Sequence, residues 1–600
     1  MISRKLIIAL LLLLHSNMSN AQDTPYFIKK VAWSDIHSVE TVYQKTNKNY
    51  LLGANAKPYG NYPWKAYFVE LDEQANVLQI AHDSLGSHSA NVGKMVCQND
   101  TCIMSAFHLP PGNMNSYSYF LTYQNGELHY EDIINGNANN GLHTCIITYD
   151  DQYLLAGYYI PPSLWHELYL VKLDADYNQL WDTVYYEIPI TYPWGATMTF
   201  DYTYKTYFND IVQGPGDTYY LLATADDNWG WDNTGFALLM RIDGSGNILW
   251  ARHFDLGADE QTYSLLVTLD GGLLFTAVTD QTTFDLCMGY VRKLSTNGEV
   301  EWTWQAPAAV PQAEGNIFLG YPHKAIQLAD SSYVITGDWG VADAPDSDGT
   351  LVKLSPSGGF QWQRSYGNPY NDYFYDLIVA DHDSTGKHGY VVVGRTDSIG
   401  KADVWFLRLN CMGLLTEPQA AFTTYPTGNN PLEVAFVNQS QYVYPDSIDG
   451  GYYVWDFGDG SPPYLCGQGY APCPDLLTHN YPAQGQFTAK LSAIVCSDTA
   501  VISQAMPVVW NGVGGAPLLP QLYVSPNPAK EVLHVVPTTS VLGSFCLYDV
   551  WGREVRRVAL SAAPQTVSVS DLPAGVYFWA FYDHSKPNRA LWREKVVVLR

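Results

Sequence analysis

One strand pattern recurs seven times between residues 24 and 415, and no other feature constrains the fold as strongly. Each copy opens with an apolar run ending near Gly or Ala: YLLGAN (50–55), CIMSAF (102–107), YLLAGY (153–158), YYLLAT (219–224), GLLFTA (272–277), YVITGD (333–338) and YVVVGR (390–395). A polar loop follows, then a second run ending in a K/R-L-D-like triplet, such as Lys172-Leu173-Asp174 or Arg241-Ile242-Asp243. After a Gly-containing turn, a short run carries Trp181, Trp250, Trp302 or Trp362 in four of the copies. The copies lie about 50–67 residues apart. Each holds about four strand-length runs separated by turn residues, and one such sheet cannot bury both of its faces.

Radial stacking of four-stranded sheets into a ring solves that problem and removes exposed edges. The repeats resemble the seven-bladed propellers of secreted bacterial surface proteins. The expected class is all-β: a seven-bladed β-propeller over 24–415, followed by two Ig-like β-sandwich domains. Charged residues at 15% and aromatics at 14% agree with many short aromatic strands and few surface helices. A formal charge of −27 repels phosphate backbones and excludes a nucleic-acid partner.

Residues 1–22 read as a signal peptide, with Arg4 and Lys5 ahead of the apolar run 6–14 and a small-residue cleavage site at 19–21. Nine apolar residues are too few to span a bilayer, which takes about 20. No later run approaches that length, so an exported chain without a transmembrane segment is expected. Export permits disulfides. Cys97 and Cys102 enclose a four-residue turn, and Cys466 and Cys473 flank a loop, so both pairs are disulfide candidates. The odd total of nine leaves a thiol over, with Cys287, Cys411 and Cys546 as the candidates.

The period stops at Leu415. Residues 419–510 contain YYVWDFGDGSPP and, downstream, THNYPAQGQFT. These strings resemble the polycystic-kidney-disease (PKD) repeat, an Ig-like sandwich, with Trp455 and Phe457 pointing inward and Gly458, Asp459 and Gly460 forming the next turn. A Gly/Pro-rich linker covers 511–520. Residues 521–600 then resemble the type A C-terminal sorting domain of the type IX secretion system of Bacteroidota. Asn527-Pro528, Asp549 with Gly552, Leu572, Gly575 and Tyr577 within LPAGVY, and Lys595 before three valines fall on that pattern in order. The resemblance implies the type IX machinery as a partner and a secreted or outer-membrane surface-attached destination.

Catalytic signatures are absent: no H-E-x-x-H and no G-x-S-x-G occurs. Asp346, Asp348 and Gly349 offer alternate acidic oxygens of a kind that suits calcium, without the remaining ligands of a calcium loop. No other cofactor and no metal site is expected. Loops after the first apolar run hold Trp64, Trp165, Trp229, Trp231 and Trp339, with Asp227, Asp280 and Asp397 near the same rim. Flat indoles beside carboxylates suit sugar rings, although packing between loops explains such tryptophans as well. The favoured function is non-catalytic recognition of an extracellular glycan or protein. A polysaccharide hydrolase or lyase and a structural surface or biofilm component are the alternatives.

Overall fold

The structure is a computed structural model. It describes residues 27–31, 36–56, 65–82, 89–109, 117–132, 140–160, 167–191, 197–200, 204–226, 235–254, 259–281, 286–306, 320–339, 347–368, 370–381, 388–398, 401–427, 430, 432–445, 450–474, 476–496, 498–508, 522–537, 543–550, 552–560, 564–583 and 590–598. Every regular element among them is a β-strand. The signal-peptide and linker readings lie outside these residues. The chain divides into two compact units, with the boundary after Leu415.

In the first unit the described residues form seven four-stranded antiparallel sheets and one two-stranded hairpin, Ile188–Thr191 with Thr197–Phe200. Sheets 1 to 6 each use four consecutive strands, within 36–82, 89–132, 140–185, 204–254, 259–305 and 321–366 in turn. Sheet 7 takes Asp372–Asp381, His388–Ser398 and Lys401–Asn410, and its fourth strand is Phe27–Val31 from the other end of the unit. Neighbouring sheets share their cores. Leu154, Leu168 and Leu170 of sheet 3 pack with Phe208, Leu221 and Leu238 of sheet 4. Sheet 1 packs on sheet 7 in the same way, through Val39, Val42 and Leu52 against Val391, Val393 and Phe406. Each such buried side chain contributes roughly 1.5–3 kcal/mol. The first and last repeats are therefore neighbours, and the unit is propeller-like.

Local chemistry explains the repeated K/R-L-D signature. The last residue of the triplet closes the turn between the third and fourth strands. The Asp243 carboxylate accepts from the N–H groups of Ser245 and Asn247, both at 2.9 Å. Ser295 and Ser355 close the equivalent turns of sheets 5 and 6, and Asn410 closes the turn that follows the third strand of sheet 7. This is the local side-chain turn that Asp, Asn and Ser favour. The repeated tryptophans stand on the outermost strands and reach the next sheet's turn. Trp250 lies against Gly298 and Trp302 against Gly358, whose φ of 80° suits a residue without Cβ. They are packing residues, as their recurrence suggests.

The registers correct the strand count along each copy. The apolar runs read as first strands are the second strands, and the tryptophan runs are the fourth. The innermost strands are Ile36–Gln44, Ser89–Gln98, Asn140–Ile147, Tyr204–Gln213, Asp259–Val267, Tyr321–Gln327 and Asp372–Asp381. They are the polar-rich runs that a search for apolar periodicity passes over.

The second unit contains two pairs of sheets. Phe422–Pro426, Glu433–Asn438 and Leu477–Asn480 pair in one sheet, facing a second that contains Tyr452–Asp456 and Gly485–Val495. Between them Phe422, Phe436, Trp455 and Phe457 meet edge to face at 5.1–5.6 Å. Asp459 accepts from Ser461 and His479, whose ring stacks on Phe457. Burial raises the Asp459 carboxyl, but these hydrogen bonds outweigh it and hold it at about 2. A carboxyl depressed on folding adds stability above its unfolded value near 4, lost as pH falls through 2. Thermal midpoints measured from pH 5 to pH 2 will therefore fall more steeply for the native chain than for Asp459→Asn.

The remaining strands form a second pair of sheets around Trp579, Phe581, Phe545, Leu533 and Val598. Val536 of this pair packs with Tyr425, Ala435 and Val437 of the preceding one, joining the two within the unit. Disulfides link Cys97 to Cys102 and Cys466 to Cys473, as the spacing predicts. Cys411 is disulfide-bonded, which removes it as a candidate for the unpaired thiol. Cys546 is free, and so is Cys145, which the odd count did not single out.

Candidate ligand-binding face

Each innermost strand carries a bulge, a device that re-aims side chains. The strand segments across these bulges align as VETV (39–42), VGKM (92–95), LHTC (142–145), FNDI (208–211), TYSL (262–265), PHKA (322–325) and FYDL (374–377). The second and third letters define two tiers of seven positions. The outer tier is Glu40, Gly93, His143, Asn209, Tyr263, His323 and Tyr375. The inner tier is Thr41, Lys94, Thr144, Asp210, Ser264, Lys324 and Asp376. Gly93 is forced by space, since a Cβ there would lie 1.9 Å from the carbonyl oxygen of His143.

The inner tier ties distant sheets together. Asp210 accepts from Ile211 N, from Leu265 N of sheet 5 at 2.8 Å, and from the Lys94 ammonium of sheet 2 at 2.6 Å. Asp376 accepts from Leu377 N and from Val42 N of sheet 1, at 2.9 and 2.8 Å. Desolvation disfavours the Lys94 cation, but Asp210 outweighs it and holds the amine above its usual range.

The outer tier opens toward the ends where the second strands finish. There His323 Nε2 lies 2.8 Å from the buried Asp338 carboxylate. The His323 ring meets Tyr263 at 4.9 Å and Tyr375 at 5.2 Å, both edge to face. Arg395 donates to Asp397 at 2.7 Å and covers the Tyr373 ring. Burial, then the Glu40 charge, pushes the Tyr375 phenol well above its usual range, so it stays a donor at neutral pH. Burial also pushes neighbouring Asp372 up to about 6, against hydrogen bonds from Thr396 and Asn368. Tyr263, His323, Tyr373, Tyr375, Glu40 and Arg395 are all half-buried. The group presents ring edges, one histidine and charges of both signs to whatever enters.

Of the residues expected to bind ligand, Trp64, Trp165, Trp229, Trp231 and Asp227 lie outside the described residues. Trp339 ends the second strand of sheet 6, directly after Asp338, and only its backbone is described. Asp397 belongs to the group through Arg395. The loops that carry the tryptophans join second to third strands and leave from the ends that hold Asp338 and Arg395. Of the calcium candidate, Asp346 is outside the described residues and Asp348 begins a strand. No group of three metal-capable side chains occurs among the described residues. The tyrosine–histidine group was missed because its members come from positions 263, 323 and 375. Aligning the bulged strands would have found it.

The sorting-signal residues hold their own domain together. Asn527 Nδ2 donates to the Lys595 carbonyl at 3.0 Å while its Oδ1 accepts from Val597 N at 2.8 Å, so the side chain pairs like a strand edge. Pro528 follows through a cis peptide bond. Asp549 accepts from the Arg553 backbone and side chain, and Gly552 closes that turn with φ 77°. Leu572 and Tyr577 are buried, and the Tyr577 hydroxyl donates to the Pro573 carbonyl at 2.7 Å. Gly575 opens the strand that contains Tyr577.

Comparison with solved structures finds propeller-type folds at low identity. A PL25 ulvan lyase is 9% identical with a TM-score of 0.41, matching 65% of this chain and 96% of its own. The β-propeller domain of the Trilobed protease from Pyrococcus furiosus is 8% identical with a TM-score of 0.35, over 63% of this chain and 94% of its own. PorZ, a surface component of the type IX secretion system of Porphyromonas gingivalis, is 13% identical with a TM-score of 0.24, over 94% of this chain and 81% of its own. No curated protein matches the chain. No helix among the described residues is long and apolar enough to cross a membrane. Residues 523–597 match the family model of the secretion system C-terminal sorting domain, which marks this chain as a cargo of the type IX secretion system.

Proposed function

We propose that the first unit is a seven-bladed β-propeller displayed at or beyond the cell surface, and that its outer tier binds an extracellular saccharide without transforming it. A PKD-type, Ig-like sandwich over 419–510 would space this ring from the sorting domain. The observation that carries the reading is the edge-to-face group Tyr263–His323–Tyr375, half-buried and flanked by Glu40 and Arg395. Sugar C–H faces pack on such rings while hydroxyls bond to the carboxylate, phenol and guanidinium beside them. The tryptophan loops at the same ends, with Trp64, Trp165, Trp229 and Trp231, would widen that surface. A protein ligand suits it less well, because the described group is small and polar.

A second reading, a polysaccharide lyase or hydrolase, is favoured by one observation: the 2.8 Å His323–Asp338 pair supplies an oriented proton-transfer group. The test passes polysaccharides over the immobilised intact chain and scores retention and cleavage products together. Retention without products is expected. Products that disappear in His323→Ala overturn the binder in favour of the enzyme, and neither retention nor products with any polysaccharide overturns both.

A further inference from the structure

We propose that His143 and Tyr158 of sheet 3 form a second saccharide subsite, so the ligand is a chain that lies across the axis of the ring. The inference rests on the saccharide reading of the outer tier and extends it from one group of rings to two. Tyr158 ends the apolar run 153–158, the place that Asp338 and Arg395 take in the runs of sheets 6 and 7. It therefore stands at the same ends of the sheets as the first group. Its ring centroid is 5.2 Å from that of His143, the outer-tier residue of the same sheet. Gly141 makes room for this ring, since a Cβ there would lie 2.6 Å from its carbons and 2.7 Å from its hydroxyl. Both side chains are half-buried, which leaves part of each ring open to a ligand.

The order of the sheets sets this pair opposite the first group. Buried apolar clusters join each sheet to the next, from 1 to 7, and sheet 7 to sheet 1. Round that circuit two sheets separate sheet 3 from sheet 6, and two separate it from sheet 7. His143 is thus placed across the axis from His323 and Tyr375. The outer-tier positions between the two groups carry no ring, being Gly93, Glu40 and Asn209. The Asn209 side-chain oxygen is already engaged, accepting from the Thr224 and Thr262 hydroxyls at 3.0 and 2.8 Å.

Beneath this tier the middle is closed. The Lys94 ammonium of sheet 2 reaches Asp210 of sheet 4 at 2.6 Å, so the inner tier forms a floor. A ligand on the outer tier lies over that floor, and only a chain meets both groups of rings. Sugar C–H faces pack on the rings while the phenol and imidazole bond to hydroxyls. Two linked contacts then give a long chain an affinity that neither contact gives a short one.

The experiment cuts the retained polysaccharide by partial acid hydrolysis and fractionates the products by size. Calorimetry on the intact chain gives dissociation constants for the disaccharide and the octasaccharide. The native chain is expected to bind the octasaccharide roughly tenfold more tightly or better. Tyr158→Ala is expected to remove that advantage and leave the disaccharide within about twofold of native, whereas Tyr375→Ala weakens both. Should Tyr158→Ala fail to fold, His143→Ala replaces it with the same expectations. Unchanged octasaccharide affinity in Tyr158→Ala overturns the second subsite, and a loss in Tyr375→Ala then leaves the proposed function standing without it. Equal losses for both lengths in Tyr158→Ala also overturn it, because a single short site accounts for them. Binding of neither oligosaccharide overturns the saccharide reading and the subsite together.

Discussion

A chain that ends at residue 520 will be synthesised and exported across the inner membrane, and will go no further. The residues it lacks include 523–597, which match the sorting domain, and they form a core of their own around Trp579 and Phe581. Loss of surface display is therefore expected to be nearly complete, while the first unit keeps all seven of its sheets. The truncation also uncovers Tyr425, Ala435 and Val437, which pack with Val536, so some periplasmic degradation is expected. Trp579→Ala separates the two effects. It leaves the sequence motifs intact and costs about 3–5 kcal/mol by emptying a buried aromatic site. If the folded domain is what the machinery reads, this variant will also be displayed poorly. Normal display of the truncated chain, measured by protease shaving of whole cells, contradicts the assignment.

The second large effect concerns the inner tier. Asp210→Ala is expected to cost about 3–5 kcal/mol, because it strands the Lys94 ammonium and leaves buried N–H groups without an acceptor. Asp376→Ala removes the acceptor for Val42 N and Leu377 N but no directly bonded cation. At roughly 1–3 kcal/mol per stranded N–H, its cost lies near 2–6 kcal/mol, and it weakens the contact between the first and last sheets. Asp376→Asn keeps one oxygen and should cost less than the alanine change. Calorimetry of the intact chain, read on the transition of the first unit, gives the order. Equal, small losses for all three variants would show that the tier does not hold the sheets together.

Much of this architecture is legible in the sequence because the responsible chemistry is local. In six of the seven copies an Asp, Ser or Asn at the end of the third strand accepts from the N–H group four residues on, and in five of them also from the one two residues on. The outer-strand tryptophans repeat because each meets a glycine at the same place in the following sheet. Cys97 and Cys102 are paired across one tight turn, which spacing alone suggests. The inner strands hide for the opposite reason. Their side chains face one another, so VETV, PHKA and FYDL carry polar residues where a buried strand would carry apolar ones.

Contacts such as Val42 with Asp376 join residues 334 apart, and no window on the sequence connects them. The candidate site shares that fate. Tyr263, His323 and Tyr375 belong to three different repeats and look unremarkable in each. Only the tryptophan loops suggested which ends of the sheets matter, and the second-strand ends with Asp338 and Arg395 lie on that same side.

The most direct test of the account takes the polysaccharide that the intact chain retains and measures its dissociation constant for the native protein and for Tyr375→Ala. The account predicts a loss of at least tenfold, about 1.4 kcal/mol, with the thermal midpoint of the first unit nearly unchanged. Unaltered affinity in Tyr375→Ala, in a variant that folds as the native chain does, would place the ligand elsewhere and contradict the outer tier as the binding face.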